Sequence, residues 1–131
     1  MDLRVIEIKD LKQAAEELSA LKVHKGGIEI IAPKAVTRTI KVSGVDSAAL
    51  NILKQDMLSI GGDCAVSWDA FIKRSKSADA LIIGTVAQIG RLCEKLKKQP
   101  LGLPLLAEKI RVLEADYDKR DFVLRAGKYR L

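Results

Sequence analysis

Histidine is almost absent from this sequence and cysteine nearly so. The 131 residues hold one histidine, His24, and two cysteines, Cys64 and Cys93. A structural zinc site takes four ligands in paired spacings, which one His and two distant Cys do not supply, so no metal is expected. A catalytic triad at His24 is disfavoured as well, because no serine or cysteine close in sequence pairs with it. Its place at a predicted helix C-terminus suits a cation by the helix dipole alone. Aromatics are few: Trp68, Phe71, Tyr117, Phe122 and Tyr129. They do not interleave with basic residues on a strand pair, so the stacking platform of a single-strand nucleic-acid binder is missing. Long apolar runs are missing too. The longest uncharged stretch, residues 80–90, has 11 residues, against the roughly 18 or more that span a bilayer. The opening MDLRVIEIKD mixes acids into a strand-like pattern, unlike a signal peptide. With so little cysteine, a reducing, cytoplasmic setting is expected, with both thiols unpaired and buried.

What is present is an ordinary globular composition, 48% apolar and 31% charged, which excludes disorder for most of the chain. The length is that of about one domain. The net charge of +6 is uneven: residues 91–98 carry a net +3 and residues 119–130 a net +4. Such clusters can meet acidic partners, but moderate basicity is also an ordinary solvated surface, and nucleic acid is disfavoured.

Periodicity gives the element order. Residues 3–8 read as a strand. Asp10 caps a helix, with Gln13 at capping-box spacing and Leu11, Ala14, Ala15, Leu18 and Leu21 on one face, ended by Gly26-Gly27. Residues 28–32 read as a second strand, interrupted by Pro33. Residues 36–42 read as a third, with Val36, Ile40 and Val42 opposite Thr37, Thr39 and Lys41. A second helix starts at Asp46 or Ser47, buries Leu50, Leu53, Met57 and Ile60, and stops at Gly61-Gly62. Residues 64–68 are a short strand, 69–78 a polar connection, and 80–83 an apolar central strand. Thr85 and Gln88 open a third helix with Val86, Ile89, Leu92, Cys93 and Leu96 on its core stripe. Pro104 starts a fourth, with stripe Leu106, Ile110, Leu113 and Tyr117. Residues 122–124 and 128–131 flank Ala126-Gly127 as a hairpin. The expected class is α+β: a βαββαβ, ferredoxin-like start, extended by a strand, two helices and a hairpin, with helices packed on a mixed sheet.

Phosphate-binding loops are not found. Gly84-Thr85 stands where an anion could meet a helix start, but no Walker or G-x-G-x-x-G pattern follows. Thr85 as a plain N-cap is the simpler alternative. Asn51, Lys54 and Gln55 share one polar helix face.

Three segments carry a resemblance: IIAPKAVTRTIKVSGV, AALNILKQDMLSIGGDCAVS and LIIGTVAQIGRLCEKLKKQPLGL. Together they resemble the N-terminal extension of some bacterial and archaeal dihydropteroate synthases and synthase-related proteins, over nearly the whole chain. DFVLRAGKYRL is similar to the lead-in to the synthase barrel. Related sequences tend to have Pro where this chain has Ala48, Met where it has Ile83, and Arg where it has Trp68. The resemblance implies a non-catalytic accessory domain over residues 1–120, with 121–131 leading to a pterin-binding barrel absent from these residues, since a complete (β/α)8 barrel needs roughly 200 residues. It implies a transferase parent in folate biosynthesis, that barrel as partner, and a role open to self-association. No catalytic residue and no cofactor transfers. The candidate ligand or interdomain surface is Lys34, Asn51, Lys54, Gln55, Thr85 and Gln88. The alternatives are a stand-alone small-molecule or anion-binding module and, less favoured, a basic nucleic-acid binder.

Overall fold

Alternation of branched and polar residues builds a sheet with one wet face. The computed structural model describes residues 1–72 and 76–127. Strand β1 spans Thr37–Asp46, β2 Asp63–Val66 and β3 Ser77–Thr85. The sheet order is β1-β3-β2 and every pairing is antiparallel. Ile40 and Cys64 both lie opposite Ile82, which makes an apolar row across the inner face. Thr39, Lys41, Ala65, Leu81 and Ile83 stand on the outer, exposed face.

Helices cover the inner face. Helix α3 spans Ser47–Ile60; the Asp46 carboxylate accepts from the Ala48 and Ala49 N–H groups at its start, and Gly61 ends it at φ +99°. A left-handed C-terminal residue of this kind is where glycine costs least. Helix α5 spans Val86–Leu96 and α6 spans Leu103–Gly127. Leu50, Leu53, Met57, Ile82, Leu92 and Leu96 are completely buried between these layers. A smaller cluster of Ala14, Ala32 and Val36 ties on helix α1 (Leu11–Ala20), helix α2 (Lys25–Ile31) and a 3-10 turn (Ala32–Lys34). Among the described residues no helix is long and apolar enough to cross a membrane.

The α+β class holds, and so do the second and third predicted helices, the central place of the apolar strand, and two free, buried cysteines. The ferredoxin-like start does not form. Among the described residues, 3–8 pair with no strand. Instead the Gln13 side chain accepts from Lys9 N–H (2.9 Å) and donates to Glu7 carbonyl (2.8 Å), holding the backbone at the foot of this segment. Residues 28–32 are helical rather than a strand. The first helix already stops at Leu21, where Lys22 takes φ +63° and Val23 N–H returns to Leu18 carbonyl. Gly26-Gly27 then lies inside α2, and a short apolar run such as Ile28, Ile30, Ile31 fits either period. With two strands lost the sheet formed by the described residues is antiparallel throughout, not mixed.

Further along, part of the polar connection is helical: Ser67 Oγ accepts from Ala70 N–H and caps the single turn α4, Trp68–Phe71. The fourth helix buries Leu103, Ala107 and Ile110, while Leu113 and Tyr117 are exposed. Its inner stripe is rotated because Leu103 begins the helix inside the core. It also runs on through 122–124 and Ala126-Gly127, so the first arm and the turn of the expected hairpin are helical. Residues 128–131 lie outside the described residues.

Candidate functional site

Where α3 ends and α5 begins, glycines let two helices close on the sheet. A Cβ on Gly62 would stand 2.8 Å from Ile83 carbonyl and overlap the Met57 methyl. A Cβ on Gly84 would overlap the same methyl and lie 2.9 Å from Gln88 Oε1. Met57 therefore fills the space that both glycines leave. Beside it, Gln88 N–H donates to Thr85 Oγ1 (3.1 Å) and Gln88 Oε1 accepts from Thr85 N–H (2.9 Å), a complete capping box. Val86 N–H donates to Val36 carbonyl at 2.9 Å. The start of α5 thus already directs two of its first N–H groups at protein acceptors.

The polar face of α3 is engaged as well. Lys54 Nζ donates to Cys64 carbonyl at 2.7 Å and stands 3.4 Å from Asp63 Oδ1. The Cys64 N–H, and after it the Lys54 ammonium, hold the Asp63 carboxyl below the usual carboxylate range. Asn51 Nδ2 donates to Ser47 carbonyl one turn back (3.2 Å). Asp56, nearly buried, accepts from Gln99 Nε2 at 3.1 and 3.2 Å, and Lys95 Nζ donates to Ser59 Oγ at 2.8 Å. The segments NILKQDML and KLKKQP are therefore joined through Asp56 and Gln99.

Of the six candidate residues, only Thr85 and Gln88 are bonded to each other. Lys54 and Asn51 hold local structure, while Lys34 and Gln55 are exposed. None of the six lines the grooves of about 560, 290, 250 and 240 Å³ found on the surface. Trp68 is 68% exposed at the start of α4.

Sequence reading missed Arg38. Its Nε donates to Glu114 Oε2 at 2.7 Å, and its guanidinium lies 4.6 Å from the Tyr117 ring centre. The signal was present in the alternation: Arg38 shares the inward parity of Val36 and Ile40. Both thiols are poor nucleophiles. Burial, above all, pushes Cys64 up to about 11, and burial also raises Cys93. Among the described residues no three His, Cys, Asp or Glu side chains gather as metal ligands.

The chain is similar to parts of larger enzymes. It is 33% identical over 105 residues to a probable bifunctional folylpolyglutamate synthase/dihydropteroate synthase of Halobacterium salinarum, covering 80% of this chain and 13% of that protein. It is 29% identical over 101 residues to a bifunctional dihydropteroate synthase/dihydropteroate reductase of Helicobacter pylori, covering 77% of this chain and 26% of that protein. A probable folylpolyglutamate synthase/dihydropteroate synthase of Haloferax volcanii shares 36% identity over 80 residues, 61% of this chain and 9% of its own length. The chain thus spans between 9% and 26% of the length of these relatives, all of them bifunctional enzymes that include a dihydropteroate synthase. No family model and no solved structure matches it.

Proposed function

We propose that this chain is a non-catalytic accessory domain serving a dihydropteroate synthase-like, pterin-binding barrel in folate biosynthesis. One observation carries the reading. The synthase is common to the three relatives, whereas the second activity in their names changes from folylpolyglutamate synthase to dihydropteroate reductase. A segment that follows the synthase across that change belongs with the synthase. The chemistry of the chain supports the same side: its two thiols are buried and held neutral, and the candidate helix start is filled by its own capping box. Residues 1–120 form the accessory unit in this reading, and a cytoplasmic setting goes with it. Lys34 and Gln55 belong to the surface that meets the barrel. Asn51, Lys54, Thr85 and Gln88 keep that surface in shape. The stand-alone anion-binding alternative loses support from the N–H groups of Val86 and Gln88, which have protein acceptors already.

A second reading takes the chain as a reductase unit. It is favoured by the Helicobacter pylori relative, whose name includes a dihydropteroate reductase and of which the chain matches 26%. Two assays on the purified chain separate the readings. Condensation of pterin pyrophosphate with p-aminobenzoate and NADPH-dependent reduction of dihydropteroate are each followed against a no-protein blank. The accessory reading expects neither. Heat-labile oxidation of NADPH that depends on dihydropteroate would establish the second reading instead.

A further inference from the structure

Helices α5 and α6 pack side by side and leave a groove of about 240 Å³ along their seam. Its floor is apolar, built by Ile89 and Cys93 from α5 and by Ala107 and Ile110 from α6, all four buried. The Cys93 thiol in that floor already donates to Ala107 carbonyl at 3.6 Å. Two features of the walls have no such internal reason. The first is Glu114, on the α6 side. Its Oε2 accepts from Arg38 Nε, but its Oε1 is buried and has no donor among the described residues. Leaving a buried carboxylate oxygen without a donor is costly, and folded proteins rarely do it. The second is Gly90, on the α5 side, fifth of the eleven residues of that helix. Glycine weakens a helix interior relative to alanine. Crowding does not account for it, because a Cβ there would meet nothing within 4 Å among the described residues.

Both features are accounted for by a flat molecule in the groove, close against the Gly90 backbone, with a donor turned to Glu114 Oε1. The walls define its charge. Among the described residues, every ionised group on them has a partner of opposite sign: Glu114 with Arg38, Lys97 with Glu94, and Arg111 with Glu108. The occupant therefore needs no net charge. The volume defines its size. A cavity of about 150 Å³ takes one benzene ring, so one of about 240 Å³ suits a fused pair of rings.

We propose that the groove between α5 and α6 binds a neutral, bicyclic heteroaromatic molecule whose ring N–H donates to Glu114 Oε1. The apolar floor takes a ring face out of water, and the one placed acceptor sets the orientation, the usual division of labour in a small-molecule site. Gly90 lets the ring lie against the helix backbone. The site is built from this chain's own residues and stands apart from any docking on a barrel.

Indole is the probe. Indene is its control, the same bicycle with a methylene in place of the N–H. Each is titrated into the isotope-labelled 131-residue chain and followed by backbone amide chemical shifts. Indole is expected to bind saturably, with a dissociation constant on the order of 100 μM and the largest shifts around Gly90, Cys93, Ile110 and Glu114. Indene should bind at least about tenfold more weakly, because it leaves the carboxylate oxygen without a donor. Gly90→Leu fills the groove where there is room for a side chain, so it should abolish indole binding without lowering the melting temperature. In Glu114→Gln the amide oxygen stays with Arg38 and an amide N–H takes the place of Oε1, so the preference for indole over indene should vanish. Absence of saturable shifts with indole overturns the proposal. So does equal binding of indole and indene by the wild type, which would mean that water alone serves Oε1, or indole binding that survives Gly90→Leu, which would place it elsewhere.

Discussion

Adding one methyl group at Gly84 or Gly62 tests the packing that seats α3 and α5 on the sheet. At Gly84 the new Cβ meets the end of the Met57 side chain and, 2.9 Å away, Gln88 Oε1. Both are ends of flexible side chains. At Gly62 it meets Met57 again, but also Ile83 carbonyl at 2.8 Å, which is backbone of the central strand and cannot swing aside. Overfilling a packed core costs about 1–3 kcal/mol, so each variant should fall in that range, Gly62→Ala at the upper end. Shortening Met57 to Leu removes the terminal methyl and alone costs less than about 1.5 kcal/mol. In the Gly84→Ala background it should relieve part of the clash, giving a favourable coupling of about 1 kcal/mol. In the Gly62→Ala background the carbonyl contact persists, and the coupling should be smaller. Urea unfolding followed by far-ultraviolet circular dichroism reads all five variants, three single and two double; a loss of about 2 kcal/mol moves the midpoint by roughly 1 M. Strict additivity in both double-mutant cycles, or a neutral Gly62→Ala, would refute the reasoning.

Gln99→Ala should destabilise the chain by about 1–3 kcal/mol in the same urea assay, because it strips a nearly buried carboxylate, Asp56, of its amide partner. Thr85→Ala removes the cap of α5 and should cost about 0.5–2 kcal/mol. Lys54→Ala should cost about 0.5–1.5 kcal/mol through the lost bond to Cys64 carbonyl, whereas Gln55→Ala should stay within about 0.5 kcal/mol. The raised pKa of Cys64 has a pH signature. Its thiol ionises near 9.0 when unfolded and near 11 when folded. Its contribution to stability is therefore complete below pH 9.0 and is lost as pH rises toward 11. Thiol titration at pH 8 should find both cysteines slow in the native chain and fast in denaturant; fast native labelling of Cys64 would contradict its burial.

Legibility in the sequence followed the strength of local signals. Helix α3 was readable because an Asp46 cap, a four-residue apolar stripe and Gly61 all agree on its limits. The start of α5 was readable from Thr85 and Gln88, whose spacing demands the bonds they make. Residues 3–8 and 28–32 were misread for one shared reason: branched residues in short runs favour a strand only if a partner strand is supplied, and partners are a tertiary matter. The helix stop at Lys22 was hidden, since a positive φ at a lysine leaves no compositional mark. The candidate residues were found as polar groups near helix ends and faces, but pattern cannot say which partner each takes. Lys54 turned to a strand carbonyl and Asn51 to its own helix. Gln99, outside the candidate set, proved to bind Asp56 across the fold, a pairing of 43 residues' separation with no periodic signal.

The docking of this chain on a synthase barrel tests the central claim most directly. The barrel of the dihydropteroate synthase from the chain's own source and the 131-residue chain are prepared as separate polypeptides and mixed in a titration calorimeter. Saturable one-to-one binding is predicted, with a dissociation constant of about 10 μM or tighter. Lys34→Glu combined with Gln55→Glu should weaken it at least about tenfold, a loss of roughly 1.4 kcal/mol, while leaving the melting of the isolated chain unchanged. Absence of binding heat at about 200 μM chain, together with unaltered kcat/KM of the barrel, would contradict the accessory role.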